Sequence, residues 1–111
     1  MPRIVGENIN GKDEGTWTWY YENGEKQMQG FFSNGKRTGI WTIWSETGVK
    51  LSESWYENDK LNGKYTHWYP NGKIESEGYY VNDKLNGTVI YYNDNGSLKE
   101  EKKYSDGIVL K

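Results

Sequence analysis

At 111 residues and a formal net charge of −2, the chain has room for one domain and lacks the basic surplus that duplex nucleic acid or anionic lipid selects. It contains no cysteine, which excludes disulfides and thiolate metal sites. Ile, Leu and Val are scarce while Trp (6) and Tyr (10) are abundant, so rings that each bury on the order of 150–250 Å² must supply the core.

The chain reads as one 24-residue unit written four times. Residues 1–14 form a half-repeat, expected to cap the first hairpin with Ile4, Val5 and Ile9. Four full copies follow at 15–38, 39–62, 63–86 and 87–107, then an apolar tail at 108–111. Gly15, Gly39, Gly63 and Gly87 open the copies, and Gly24, Gly48, Gly72 and Gly96 mark their middles. A fixed period of this kind marks a repeat architecture whose units bury apolar surface against their neighbours.

Within a copy, an aromatic and β-branched run such as Lys64–Tyr69 suits a strand. Pro70-Asn71-Gly72 predicts a tight hairpin turn, because Asn-Gly accepts positive φ angles. Asn82–Gly87 reads as a longer turn into the next copy. Strands are predicted at 16–21, 26–32, 40–45, 50–56, 64–69, 74–80, 88–92 and 98–104. With no sustained 3.6-residue apolar stripe, helix is not expected. The fold class is all-β: a single antiparallel meander of tandem hairpins.

Alternation assigns columns to faces. Trp17, Trp41, Tyr65 and Val89 share one face with Trp19, Ile43, His67 and Tyr91; Tyr20, Trp44, Trp68 and Tyr92 take the other. Return strands carry two adjacent ring columns, Phe31, Trp55, Tyr79, Lys103 and Phe32, Tyr56, Tyr80, Tyr104. Both faces bear rings. One serves as core, which leaves the other as a ring-rich surface, and Trp44, Trp55, Trp68, Tyr79 and Tyr56 are the candidate binding residues. The last return strand, Leu98–Tyr104, is mostly charged, as suits a sheet edge.

Catalytic readings fail on composition and symmetry. His67, the sole histidine, sits in a column of structural rings. Glu53, Glu77 and Glu101 form a repeated ladder, whereas a catalytic carboxylate pair has two different roles. One Asp per turn, at Asp59 and Asp83, is too few oxygens for calcium. The Asn-Gly-Lys turns do not open a helix and so are not phosphate loops. A non-enzyme with no cofactor and no metal is expected.

The stretches Gly30-Phe-Phe-Ser-Asn-Gly-Lys36 to Trp41 and Gly78-Tyr-Tyr-Val-Asn-Asp-Lys84 to Gly87 resemble the MORN repeat. The likeness is closer to the bacterial MORN-variant proteins commonly catalogued as toxin–antitoxin antitoxins. It spans roughly residues 10–107 and departs from the pattern at Asp59, Asp83, Thr38, Asn62 and Asn86. The resemblance implies a scaffold that binds another protein. The mildly acidic composition suits a basic target such as a toxin, and no nucleic acid partner and no membrane insertion are expected. Gly15–Gly24 also resembles choline- and glucan-binding surface repeats, which makes a glycan- or choline-binding module the rival expectation. The N-terminus is not a signal peptide and no apolar run reaches membrane-spanning length, so a cytoplasmic location is expected. A leader cleaved from a longer precursor would leave the same sequence.

Overall fold

A computed structural model describes residues 3–110. Eleven strands follow in chain order: β1 (Arg3–Ile9), β2 (Lys12–Tyr20), β3 (Lys26–Ser33), β4 (Lys36–Trp44), β5 (Lys50–Glu57), β6 (Lys60–Trp68), β7 (Ile74–Val81), β8 (Lys84–Leu85), β9 (Gly87–Tyr92), β10 (Leu98–Ser105) and β11 (Ile108–Leu110). Each pairs antiparallel with its sequence neighbour in one open sheet; β8 and β9 lie along β7 on either side of Asn86. The sheet measures 48 × 31 × 16 Å, a single layer with two solvent-facing sides. The predicted meander and its 24-residue register are present.

The two turn classes are the reverse of the sequence expectation. Asn34-Gly35, Asn58-Asp59 and Asn82-Asp83 are the tight turns, both residues having positive φ (56° and 82°, 49° and 70°, 48° and 70°). Ser33 pairs with Lys36 across the first of them, as a two-residue primed turn requires. At Glu22-Asn23-Gly24 only the glycine is left-handed, and Tyr21 N–H donates to the Glu25 carbonyl (2.8 Å) around a three-residue loop. Asn23 uses its side chain instead, its Oδ1 accepting from Glu25 N–H (2.9 Å). Because the Asn34-type turns are tight, the following strands start at Lys12, Lys36 and Lys60, four residues ahead of the predicted position. The glycines that open the copies lie inside these strands: Gly15 and Gly39 have φ of 72° and 71°, and the ladder shifts register beside Gly39.

Residues 3–9 are more than a cap. They form a return strand in register with β2, placing Ile4 opposite Trp19. Val5 and Ile9 stay about half exposed and cover little. At the other end the tail folds back as β11, with Val109 opposite Tyr104.

Packing concentrates on the face that carries Trp17, Trp41, Tyr65 and Val89. Trp41, Tyr65 and Val89 are 7, 5 and 0 % exposed. A single sheet buries them by laying each ring over the return strand of the preceding copy. A Cβ on Gly30 would stand 2.0 Å from Cδ2 of Trp41, and one on Gly6 the same distance from Trp17. Gly6 and Gly30 are thus berths for indole, while Gly78 lies under Val89. Beneath the smaller Tyr65 the corresponding residue is Ser54. Edge-on contacts Phe32–Trp41 (5.1 Å) and Trp41–Tyr56 (5.9 Å), with Tyr65–Tyr80 (5.1 Å), continue the ring stack along the sheet.

Hydrogen bonds join the copies along both rims. On the tight-turn rim, Gly35, Asp59, Asp83 and Gly107 N–H groups donate to the carbonyls of Asp13, Arg37, Leu61 and Leu85 (2.8–3.0 Å). Where Asp replaces Gly, its carboxylate returns the contact. Asp59 Oδ1 accepts from Arg37 Nε (2.7 Å) and N–H (3.2 Å), and Asp83 Oδ1 accepts from Leu61 N–H (2.7 Å). The Arg37 guanidinium holds the Asp59 carboxyl below its usual range. On the opposite rim, the Tyr21 and Tyr69 hydroxyls donate to the carbonyls of Trp44 and Tyr92 (2.6 Å each). Asn23 and Asn71 amides likewise reach the carbonyls of Glu46 and Asp94. The second copy has Ser45 and Thr47 in those places, and they bond to each other (2.9 Å) instead of reaching the third copy.

Candidate functional site

The side of the sheet opposite the buried stack carries three parallel rows, fixed by strand register. Nearest the three-residue loops run Tyr20, Trp44, Trp68 and Tyr92, opposite Lys26, Lys50, Ile74 and Leu98. Mid-strand, Gln29, Glu53, Glu77 and Glu101 stand opposite Thr18, Thr42, Thr66 and Ile90. Nearest the tight turns lie Phe31, Trp55, Tyr79 and Lys103. Each row takes one residue from every copy.

Exposure differs between rows. Phe31, Trp55 and Tyr79 are 41, 44 and 55 % exposed, whereas Trp44 and Trp68 are half-buried. The half-buried rings already hold cations: Lys26 Nζ lies 5.8 Å from the Trp44 ring centroid and Lys50 Nζ 5.6 Å from that of Trp68. Lys50 also pairs with Glu53 (3.2 Å). The third copy breaks this pattern, because Ile74 replaces the lysine. Glu77 then accepts only a long hydrogen bond from the Tyr92 hydroxyl (3.4 Å). Among the described residues neither Glu77 nor Glu101 meets a cation. Burial, with the Glu77 carboxylate beside it, raises the Tyr92 hydroxyl above its ordinary pKa.

Four of the five candidate residues, Trp44, Trp55, Trp68 and Tyr79, share this side. Tyr56 does not. It lies on the buried side against Trp41, with the Arg37 guanidinium 4.5 Å from its ring centroid. Trp55 and Tyr56 are consecutive in one strand, and alternation sends them to opposite faces. The six tryptophans consequently divide evenly, Trp17, Trp19 and Trp41 on the stacked face and Trp44, Trp55 and Trp68 on the other. His67 packs against Tyr65 (5.0 Å) within the ring stack. A depression of about 310 Å³ on the stacked face is lined by Trp19, Met28, Phe32, Trp41, Ile43 and Tyr56, and of these only Trp41 is buried. Lys26 and Lys50 are the functional-looking residues that column reading missed. Their shared place at the head of a return strand, one repeat apart, was the available signal.

An open, single-layer array of β-hairpins with two ring-bearing sides defines a tandem-repeat protein rather than an enclosed-site one. Residues 13–36, 61–82 and 85–106 match the profile of the MORN repeat variant family, and the chain belongs to that family. The unmatched 37–60 stretch forms β5 and all of β4 after Lys36 with the same register, and carries Ser45, Thr47 and Ser54 where the first copy has Tyr21, Asn23 and Gly30. No curated protein matches the chain. No helix is long and apolar enough to cross a membrane among the described residues.

Proposed function

We propose that this chain is a non-catalytic repeat module that binds another protein through the side bearing Trp44, Trp55, Trp68 and Tyr79. The observation that carries the reading is the row Phe31, Trp55, Tyr79, exposed on a sheet whose other side already supplies the packed core. Tyr and Trp concentrate binding energy where they meet a partner, since large rigid rings lose little entropy on docking. Glu77 and Glu101, which meet no cation among the described residues, offer a basic partner two open carboxylates, whereas Glu53 is already paired with Lys50. Electrostatic complementarity speeds and orients such an encounter. A basic toxin neutralised by an antitoxin-type module fits this description.

The test compares wild type with Trp55→Ala/Tyr79→Ala, whose side chains are exposed enough for the fold to survive. Bound to a resin, wild type captures a defined protein from its own host's lysate and the double variant loses it. Equal capture by both would remove this side from the reading. Choline or cell-wall glycan binding by calorimetry, lost in the same variant and without protein capture, would establish the rival class.

A further inference from the structure

The rows on the exposed side have a spacing that selects the shape of what docks there. Successive members sit on every second strand, about 9.6 Å apart for strands about 4.8 Å apart. A polyproline II segment has three residues per turn and rises about 3.1 Å per residue, a repeat of about 9.3 Å. A partner helix repeats about every 5.4 Å and a strand presents a given face about every 6.8 Å. A helix returns the same face at seven residues, about 10.5 Å on, so the polyproline repeat of about 9.3 Å is the nearest match to the spacing of the copies.

The two outer rows and the mid row specify chemistry as well as pitch. In one register, a proline of each triplet lies on Phe31, Trp55 and Tyr79, where a preformed pyrrolidine ring stacks at low entropic cost. A second residue of each triplet then faces the mid row, where Glu77 and Glu101 are open and Glu53 is already paired with Lys50. Glu77 and Glu101 have no cation of their own among the described residues, and Lys26 and Lys50 show that this side already accommodates ammonium groups against rings. Lys64, beside Tyr79, and Lys103, where the ring row ends, repel a basic residue from the outer row and so confine it to the acidic one. We infer that this side docks an extended, proline-rich segment of a partner protein, with a basic residue at every third position, running across the strands. The inference rests on the protein-binding reading above and names the partner's chemistry.

The test uses the full chain and three twelve-residue peptides: (Arg-Pro-Pro)4, the same composition with its arginines in one block, and (Glu-Pro-Pro)4. Calorimetry should show the regular basic peptide binding at least about tenfold tighter than the block peptide, with no binding of the acidic one. Glu77→Gln/Glu101→Gln and, separately, Trp55→Ala/Tyr79→Ala should each weaken the regular peptide by about tenfold or more. Block and regular peptides within about threefold of each other, or variants that bind as wild type does, would overturn the inference. Failure of the regular peptide to bind, with lysate capture still dependent on Trp55 and Tyr79, would overturn the polyproline shape and leave the protein-binding side standing. Failure of both measurements would remove both.

Discussion

At the scale of single residues, stability rests on indoles berthed over glycine. Trp41 is buried between Gly30, Phe32 and Tyr56 and Trp44 only half so, which puts the core role at Trp41. Trp41→Ala should cost about 3–5 kcal/mol in denaturant unfolding and the exposed Trp55→Ala under about 1 kcal/mol. Gly30→Ser should destabilise strongly, because its Cβ lands 2.0 Å from the Trp41 ring. The Ser54 and Tyr65 pairing shows what such a Cβ tolerates, so Trp41→Tyr should rescue much of that loss, and a double-mutant cycle should show favourable coupling. Additive single effects would break the berth account. Proton linkage gives a further expectation. Burial raises the Tyr65 and Tyr80 hydroxyls, and the Tyr104 hydroxyl bond together with burial raises Tyr91. Folding favours the neutral phenols, so their stability is whole below the unfolded value near about 10 and is lost as pH rises toward the folded values. Melting temperature should therefore fall steeply above about pH 10, with phenolate absorbance from these rings appearing on unfolding.

Among elements, the turns decide how firmly one copy holds the next. Both turn types contain Asn-Gly, which is why sequence alone misassigned them. The dipeptide supplies positive φ in one and a side-chain cap plus a single left-handed glycine in the other. Only the count of residues between paired positions separates the two, and register is a long-range property that local chemistry does not carry. The 24-residue spacing, by contrast, is a local signal repeated four times, so the meander was legible. The glycines at 30 and 78 were visible as a small-residue column, but their meaning required knowing that the side chain above, Trp41 or Val89, comes from the next strand. Joints differ in strength as a result. Between the second and third copies Ser45 and Thr47 make no contact of the Tyr21 and Asn23 kind. Ser45→Tyr/Thr47→Asn should restore it by reaching the carbonyls of Trp68 and Pro70, raising stability by about 1–2 kcal/mol in chemical denaturation. An unchanged or lower midpoint would show that the joint is limited elsewhere.

For the whole molecule, one layer has to provide both core and surface, and the even division of tryptophans between its sides records that double duty. The face of Trp44 and Trp68 was readable from alternation, as was the ring-rich second side. Which return-strand column joins them, Trp55 and Tyr79 or Tyr56, depended on register across strands. The lysines over Trp44 and Trp68 were not readable, because a cation reaching the next copy's ring depends on strand spacing. The central claim is that binding uses the side opposite the stacked core. Six indole N–H signals in a proton–nitrogen NMR spectrum, three from each side, report on it directly. On titration with the captured partner, the Trp44, Trp55 and Trp68 signals should shift while those of Trp17, Trp19 and Trp41 hold. Shifts confined to Trp17, Trp19 and Trp41 would contradict the account.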